Sequence, residues 1–214
     1  MSETNTKEQQ AETLMQMQMA QSWSPNDILY FGPLRRAVAL YGPVVRETTF
    51  PLVSQVLELE QQQPGVPIRF HINTEGGSLS DALALYDALR GVSSPIITVT
   101  TGMCASAGLL LLSAGDLRLA TPNAVFFYHE PILPLEEINS LKNLNQTSEA
   151  YRMCKDTYES IIKTRTGITD KVWKKEFDGE TSKYFNADQA LKYNFIDDII
   201  APSEKKVKIV SSED

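Results

Sequence analysis

The chain has 214 residues, 42% of them hydrophobic, two cysteines and a formal net charge of −7. That length suits one domain with a sizeable core, and a negative balance without any basic run argues against nucleic acid or an anionic membrane surface as a partner. Cys104 and Cys154 are too few for a disulfide framework or a metal cluster. No apolar run reaches membrane-spanning length and the start lacks the pattern of a signal peptide, so a reducing compartment is expected, the cytoplasm or an equivalent such as plastid stroma.

Residues 1–25 are polar and rich in Gln, Glu and Met, expected as a flexible segment with at most a frayed helix over 11–21. Residues 37–42 read as a short strand closed by Gly42. Helical spacing of Leu52, Val53, Val56, Leu57 and Leu59 predicts a helix over 48–63, stopped by Pro64-Gly65. A second strand, 68–73, precedes Glu75-Gly-Gly-Ser-Leu-Ser80, and an amphipathic helix follows from about Ser78 to Arg90, with Gly91 after its end. Residues 95–100 form a β-branched strand. The small residues 102–108 then form a turn into an apolar helix that Gly115 ends. Strand–turn–helix alternation implies right-handed βαβ units on a mainly parallel sheet, with ligands at the carboxyl ends of its strands.

Beyond Gly115, residues 117–120 and 124–129 read as a β pair across Pro122-Asn123. A long helical stretch from about 135 to 166, with Tyr151, Tyr158, Ile161 and Ile162 at helical spacing, is expected as an arm used for association. Thr169 caps a short helix through Trp173, 187–193 forms another, Asn194 suits a left-handed terminator, and 195–200 is a last strand. One domain is expected over 26–201, followed by a charged tail over 202–214.

Three features could carry chemistry. Ser106 stands at the N-terminus of a buried helix, where free N–H groups favour developing negative charge; it is either an acyl-transfer nucleophile or a plain cap. His71 and His129 are the only histidines. His71 lies inside a strand and reads as structural, whereas His129 ends one, before Glu130-Pro131, and is either a base facing a cleft or a structural residue. Gly76-Gly77 is either a turn or a place where an N–H meets an oxyanion. Neither a phosphate loop, a dinucleotide fingerprint nor a metal motif is present, and Cys104 breaks the G-x-S-x-G frame around Ser106.

Taken together, Ile72-Asn-Thr-Glu-Gly-Gly77, Gly102-Met-Cys-Ala-Ser-Ala107 and Tyr128-His-Glu-Pro131 resemble the family of proteolytic subunits of the Clp protease, as does the late segment Tyr184-Phe-Asn-Ala-Asp-Gln-Ala-Leu-Lys-Tyr-Asn-Phe-Ile-Asp197. The resemblance runs from about 34 to 200. It implies an α/β ClpP/crotonase-like fold of repeated β-β-α units, with a mainly parallel sheet and a helical handle over about 133–167. It also implies a serine endopeptidase with Ser106 as nucleophile, His129 as base, Asp178 as the acid and the N–H groups of Gly77 and Ala107 as oxyanion hole. Asp178 is selected by the resemblance alone. The implied partners are copies of the chain in stacked seven-membered rings, an AAA+ Clp ATPase and unfolded polypeptides cut after apolar residues. No metal or cofactor is expected in this chain, ATP being used by the unfoldase.

The sequence departs from the family pattern at Ala107, often Met; at Ile132-Leu-Pro-Leu135, where a glycine-rich strand is usual; and at Phe177, where an Arg commonly precedes the acid. The last change suggests that Phe177 buries apolar area against an opposing ring. A catalytically silent ring subunit and an acyl-CoA hydratase or isomerase of the same broad fold are the competing readings.

Overall fold

The computed structural model describes residues 36–130, 141–177 and 182–200. The segment 1–25, the tail 202–214, Ile132-Leu-Pro-Leu135 and Asp178 lie outside the described residues. Thirteen elements follow one another among the described residues. They are β1 (Ala37–Tyr41), α1 (Arg46–Gln62), β2 (Ile68–Thr74), α2 (Leu79–Gly91), β3 (Ile96–Ala105), α3 (Ala107–Leu112), β4 (Leu117–Ala120), β5 (Val125–Tyr128), α4 (Leu141–Thr166), α5 (Asp170–Glu176), β6 (Lys183–Asn186), α6 (Ala187–Lys192) and β7 (Asp198–Ile199).

The expected alternation is present. β1, β2, β3, β4 and β7 run parallel in that spatial order, with α1 and α2 as crossovers. β1 and β2 are in register from Ala37–Arg69 to Tyr41–Asn73, and β2 pairs with β3 from Ile68–Ile96 onward. Even-numbered Ile68, Phe70 and Ile72 face the main core with the buried sides of α1, α2 and α3, as strand alternation requires. Ile97, Val99, Leu119 and Ile200 form a smaller cluster of their own.

Two expectations fail here. The residues 102–105 do not turn; β3 continues through them to Ala105, with a register shift that leaves extra residues opposite Asn73. The Asn73 side chain accepts the Met103 N–H at 2.9 Å and so takes the place of a ladder bond at the bulge. Nor do β4 and β5 form a pair. The bulge splits β3 into two halves: Ile97–Thr100 pairs with β4, while Met103–Ala105 pairs in parallel with β5, which then takes β6 antiparallel. The bend in β3 therefore aims its second half, and β5 beside it, away from the main sheet path.

The long helix α4 is about 39 Å at 1.5 Å per residue. Its second half buries Tyr158, Ile162 and Thr166, whereas Met153 in its middle is exposed. The expected arm is thus docked on the core at its carboxyl half. Asn194 has φ 58°, the left-handed terminator expected of it, and Thr169 caps α5 by accepting the Val172 N–H.

Phe177 does not face outward. It is completely buried, with ring centroids 5.3 Å from Trp173, 5.5 Å from Tyr128, 5.2 Å from Tyr193 and 5.6 Å from Phe195. With no surface left to offer, it cannot cover an opposing ring; it fills the core under β5 and β6. Phe177→Ala should therefore lower the stability of the single chain by about 3–5 kcal/mol. Urea unfolding checks this, and a loss below about 1 kcal/mol would place the residue outside any tightly packed core.

Candidate active site

Three strand ends meet at one cavity of about 240 Å³, lined by Glu75, Gly77, Leu79, Ser106, Ala107, His129, Tyr151 and Tyr158. Of the residues singled out in the sequence, Ser106, His129, Gly77 and Ala107 are brought together, and Asp178 lies outside the described residues.

Ser106 joins β3 to α3 with φ 53° and ψ −121°, a conformation that costs a residue with a Cβ on the order of 1–3 kcal/mol. The surroundings hold it there. Its N–H donates to the Phe127 carbonyl at 2.8 Å, which ties the turn to β5. Its carbonyl accepts the Leu109 N–H at 3.0 Å and the Tyr158 hydroxyl at 3.1 Å. The main chain of Ser106 is therefore fixed on both sides while its side chain borders the cavity. A strained strand-to-helix turn of this kind is the backbone signature of an exposed nucleophile, here without the first glycine of the usual frame.

The glycine turn seats directly against it. A Cβ on Gly76 would stand 2.6 Å from the Ser106 Cβ and 2.8 Å from the Ala105 carbonyl oxygen, so only glycine fits, at φ 97°. Gly77, at φ 147°, packs as closely on the Val44 carbonyl. Val44 bridges Gly77 in parallel by donating to the Gly76 carbonyl at 2.8 Å and accepting the Ser78 N–H at 2.7 Å. That pattern uses the neighbours of Gly77 and leaves its own N–H on the opposite side from Val44. Ala107 is the first residue of α3, where the backbone N–H has no carbonyl a turn earlier to bond. These are the two N–H groups for which the resemblance implies the role of oxyanion donors.

His129 follows the last residue of β5. Alternation along Phe126, Phe127, Tyr128 and His129 puts Phe126 and Tyr128 into the core and the half-buried His129 beside Phe127, their rings 5.4 Å apart. Its Nδ1 lies 2.6 Å from the Glu130 carbonyl oxygen. A carbonyl only accepts, so Nδ1 carries the hydrogen, and in the neutral ring this is the tautomer that leaves Nε2 as the acceptor a general base needs. Among the described residues no hydrogen bond joins His129 to Ser106; both border the cavity unjoined.

Behind His129, Lys155 of α4 reaches the Glu130 carboxylate at 3.0 Å and Glu159 at 3.6 Å. Burial pushes the Glu159 carboxyl up, with Lys155 opposing. Burial works against the Lys155 charge, yet the bonds to its two carboxylates raise its value. Tyr158 is completely desolvated, which raises its hydroxyl well above the usual range and keeps it a donor to Ser106. Cys104 is also buried, and its thiol is pushed up to about 12, so it has no thiolate to compete with Ser106. His71, on β2 between Ala39 and Val99, is remote from these groups.

Tyr158, Tyr151, Lys155 and Glu75 were not singled out as site residues in the sequence. Tyr151 and Tyr158 are seven residues apart on one helix and so share a face, a signal present in the spacing but equally that of a core stripe. Among the described residues no helix is long and apolar enough to cross a membrane.

The Clp protease family pattern matches residues 26–203, most of the chain. The fold is the mixed α/β architecture on a mostly parallel open sheet that the family implies. The chain belongs to the Clp protease family, and by family it is a ClpP-type serine peptidase.

Two measurements follow from this geometry. Gly76→Ala should abolish labelling of Ser106 by a fluorophosphonate while leaving far-ultraviolet circular dichroism near wild type, because its Cβ collides with the Ser106 turn; undiminished labelling would remove the close approach from the site's requirements. Burial, and then the nearby Arg69, lower the His71 pKa below its ordinary 6.5. The folded chain then binds this proton less readily than the unfolded one. The stability His71 contributes is present above about pH 6.5 and is lost as pH falls below it. His71→Gln should flatten the urea midpoint between pH 7 and 5; an unchanged slope would show that His71 is not the group responsible.

Proposed function

We propose that this chain is a serine endopeptidase in which Ser106 attacks the peptide carbonyl, His129 accepts its proton and Asp178 orients the imidazole. The observation that carries the reading is Ser106 at φ 53° on a strand-to-helix turn, bordering one cavity with His129, Gly77 and Ala107. Nε2 of His129 is the free acceptor, and the Nδ1–H now given to the Glu130 carbonyl is the one that Asp178 takes when the site is assembled. In support of that role, Phe177, the residue before Asp178, packs on Tyr128, the residue before His129. The tetrahedral oxyanion is held by the N–H groups of Gly77 and Ala107, each worth a few kcal/mol. The proton then passes from His129 to the leaving amine, and water releases the acyl group by the same route.

Membership of the family supports, in general terms, ring assembly and work with a Clp ATPase. We take the finer reading to be stacked seven-membered rings of this chain, in the cytoplasm or a like compartment, fed with unfolded polypeptide by an AAA+ unfoldase. No metal or cofactor enters the proposed chemistry.

Ser106→Ala should abolish both peptide cleavage and fluorophosphonate labelling while native mass spectrometry still finds the assembled rings; a labelled alanine variant would take Ser106 out of the mechanism. His129→Ala should cost at least about a thousandfold in kcat/KM. A wild-type chain that assembles but neither cleaves nor labels would support the silent-subunit reading instead.

A further inference from the structure

Resting on the peptidase reading, we infer that Glu75 selects substrates carrying a basic side chain within two residues of the scissile bond. The family resemblance implies apolar side chains there. Yet Glu75 lines the cavity itself, and among the described lining residues it is the only carboxylate. The remaining walls are Leu79, the backbone of Gly77 and Ala107, and the rings of Tyr151 and Tyr158.

The neighbouring carboxylates differ from Glu75. Glu130 and Glu159 share Lys155, at 3.0 and 3.6 Å, so their charge is partly compensated within the protein. Glu75 has neither an ion pair nor a hydrogen bond from any described residue, and its side chain is exposed. A carboxylate left uncompensated at the rim of a partly desolvated site attracts a cation and repels an anion.

Its position relative to the chemistry is set by the chain. A Cβ on Gly76 would lie 2.6 Å from the Ser106 Cβ, and Glu75 is the preceding residue. One Cα–Cα step of about 3.8 Å puts the Glu75 Cα no more than about 8 Å from the Ser106 Cβ. An extended peptide advances about 3.3 Å per residue, so a carboxylate there meets side chains one or two residues from the attacked carbonyl. A lysine or arginine has the length to reach it while its methylene stem lies along Leu79 and the tyrosine rings.

The test uses the full chain and fluorogenic peptides that differ only by Lys, Leu or Glu at either of the two residues before the scissile bond. Wild type should cleave the Lys peptide over the Glu peptide by about five- to tenfold in kcat/KM at one of these positions at low salt, since a partly exposed pair is worth about 1 kcal/mol. The ratio should shrink as ionic strength rises. Glu75→Gln should bring it to within about twofold of unity, and Glu75→Lys should reverse it. A wild-type ratio at or below one at both positions, or a ratio that Glu75→Gln leaves unchanged, overturns the inference while the peptidase reading stands. Failure to cleave any peptide, with Ser106 taking no fluorophosphonate, overturns both.

Discussion

The site depends on one close approach, the backbone of Gly76 against the turn that carries Ser106. With a Cβ 2.6 Å from that of Ser106 and 2.8 Å from the Ala105 carbonyl oxygen, no other residue could lie there without shifting the turn. The approach brings the amide of Gly77 and the first amide of α3 to the same cavity, an arrangement that neither strand end could make alone. Gly108 extends the same tight fit one residue further, since a Cβ there would stand 2.6 Å from the Thr74 methyl. Small residues across both turns are therefore a packing requirement as much as a conformational one.

A strained serine persists only if its neighbours over-determine it. Here α4 grips the short helix α3 at both ends. Tyr158 donates to the Ser106 carbonyl at 3.1 Å, and Arg165 donates to the carbonyls of Ser113 at 2.9 Å and Gly115 at 2.6 Å, just past the helix's carboxyl end. β5 closes the third side through the Phe127 carbonyl and carries His129 at its end. The aromatic cluster of Phe126, Tyr128, Trp173, Phe177 and Phe185 anchors that strand from beneath. His129 is thus positioned by apolar packing on one face of β5, and Ser106 by hydrogen bonds to β5 and from α4.

The parallel sheet and the helices α1 and α2 were legible because their apolar periods and glycine stops are local signals. What was not legible was long-range. Residues 117–120 and 124–129 have the look of a hairpin across Pro122-Asn123, but each strand instead pairs with a different half of β3, a choice set by the bulge opposite Asn73. Phe177 illustrates the same limit, since its surroundings come from Tyr128, Tyr193 and Phe195, and no window around residue 177 contains that information. Ser106 and His129 each stood as an open choice on their own, and only the ordered set of motifs selected them. Asp178 rests on that resemblance alone, and Glu75 carries no signal of its own, because a charged residue beside a glycine pair has the pattern of a solvated turn.

The serine's setting also separates two electrostatic explanations. A helix N-terminus suggests that a macrodipole stabilises the oxyanion, but α3 has six residues and its carboxyl end is buried against cationic Arg165. So short a helix sums few peptide dipoles, and a cation placed just past its carboxyl end offsets the negative pole. In the proposed reaction the stabilisation at Ser106 therefore comes from individual N–H groups within hydrogen-bond reach, whose effect depends on direction and falls off over tenths of an ångström. That is why the Gly76 contact governs the site. It adds no charge and no hydrogen bond of its own to the cavity, yet it fixes how far apart the amides of Gly77 and Ala107 stand.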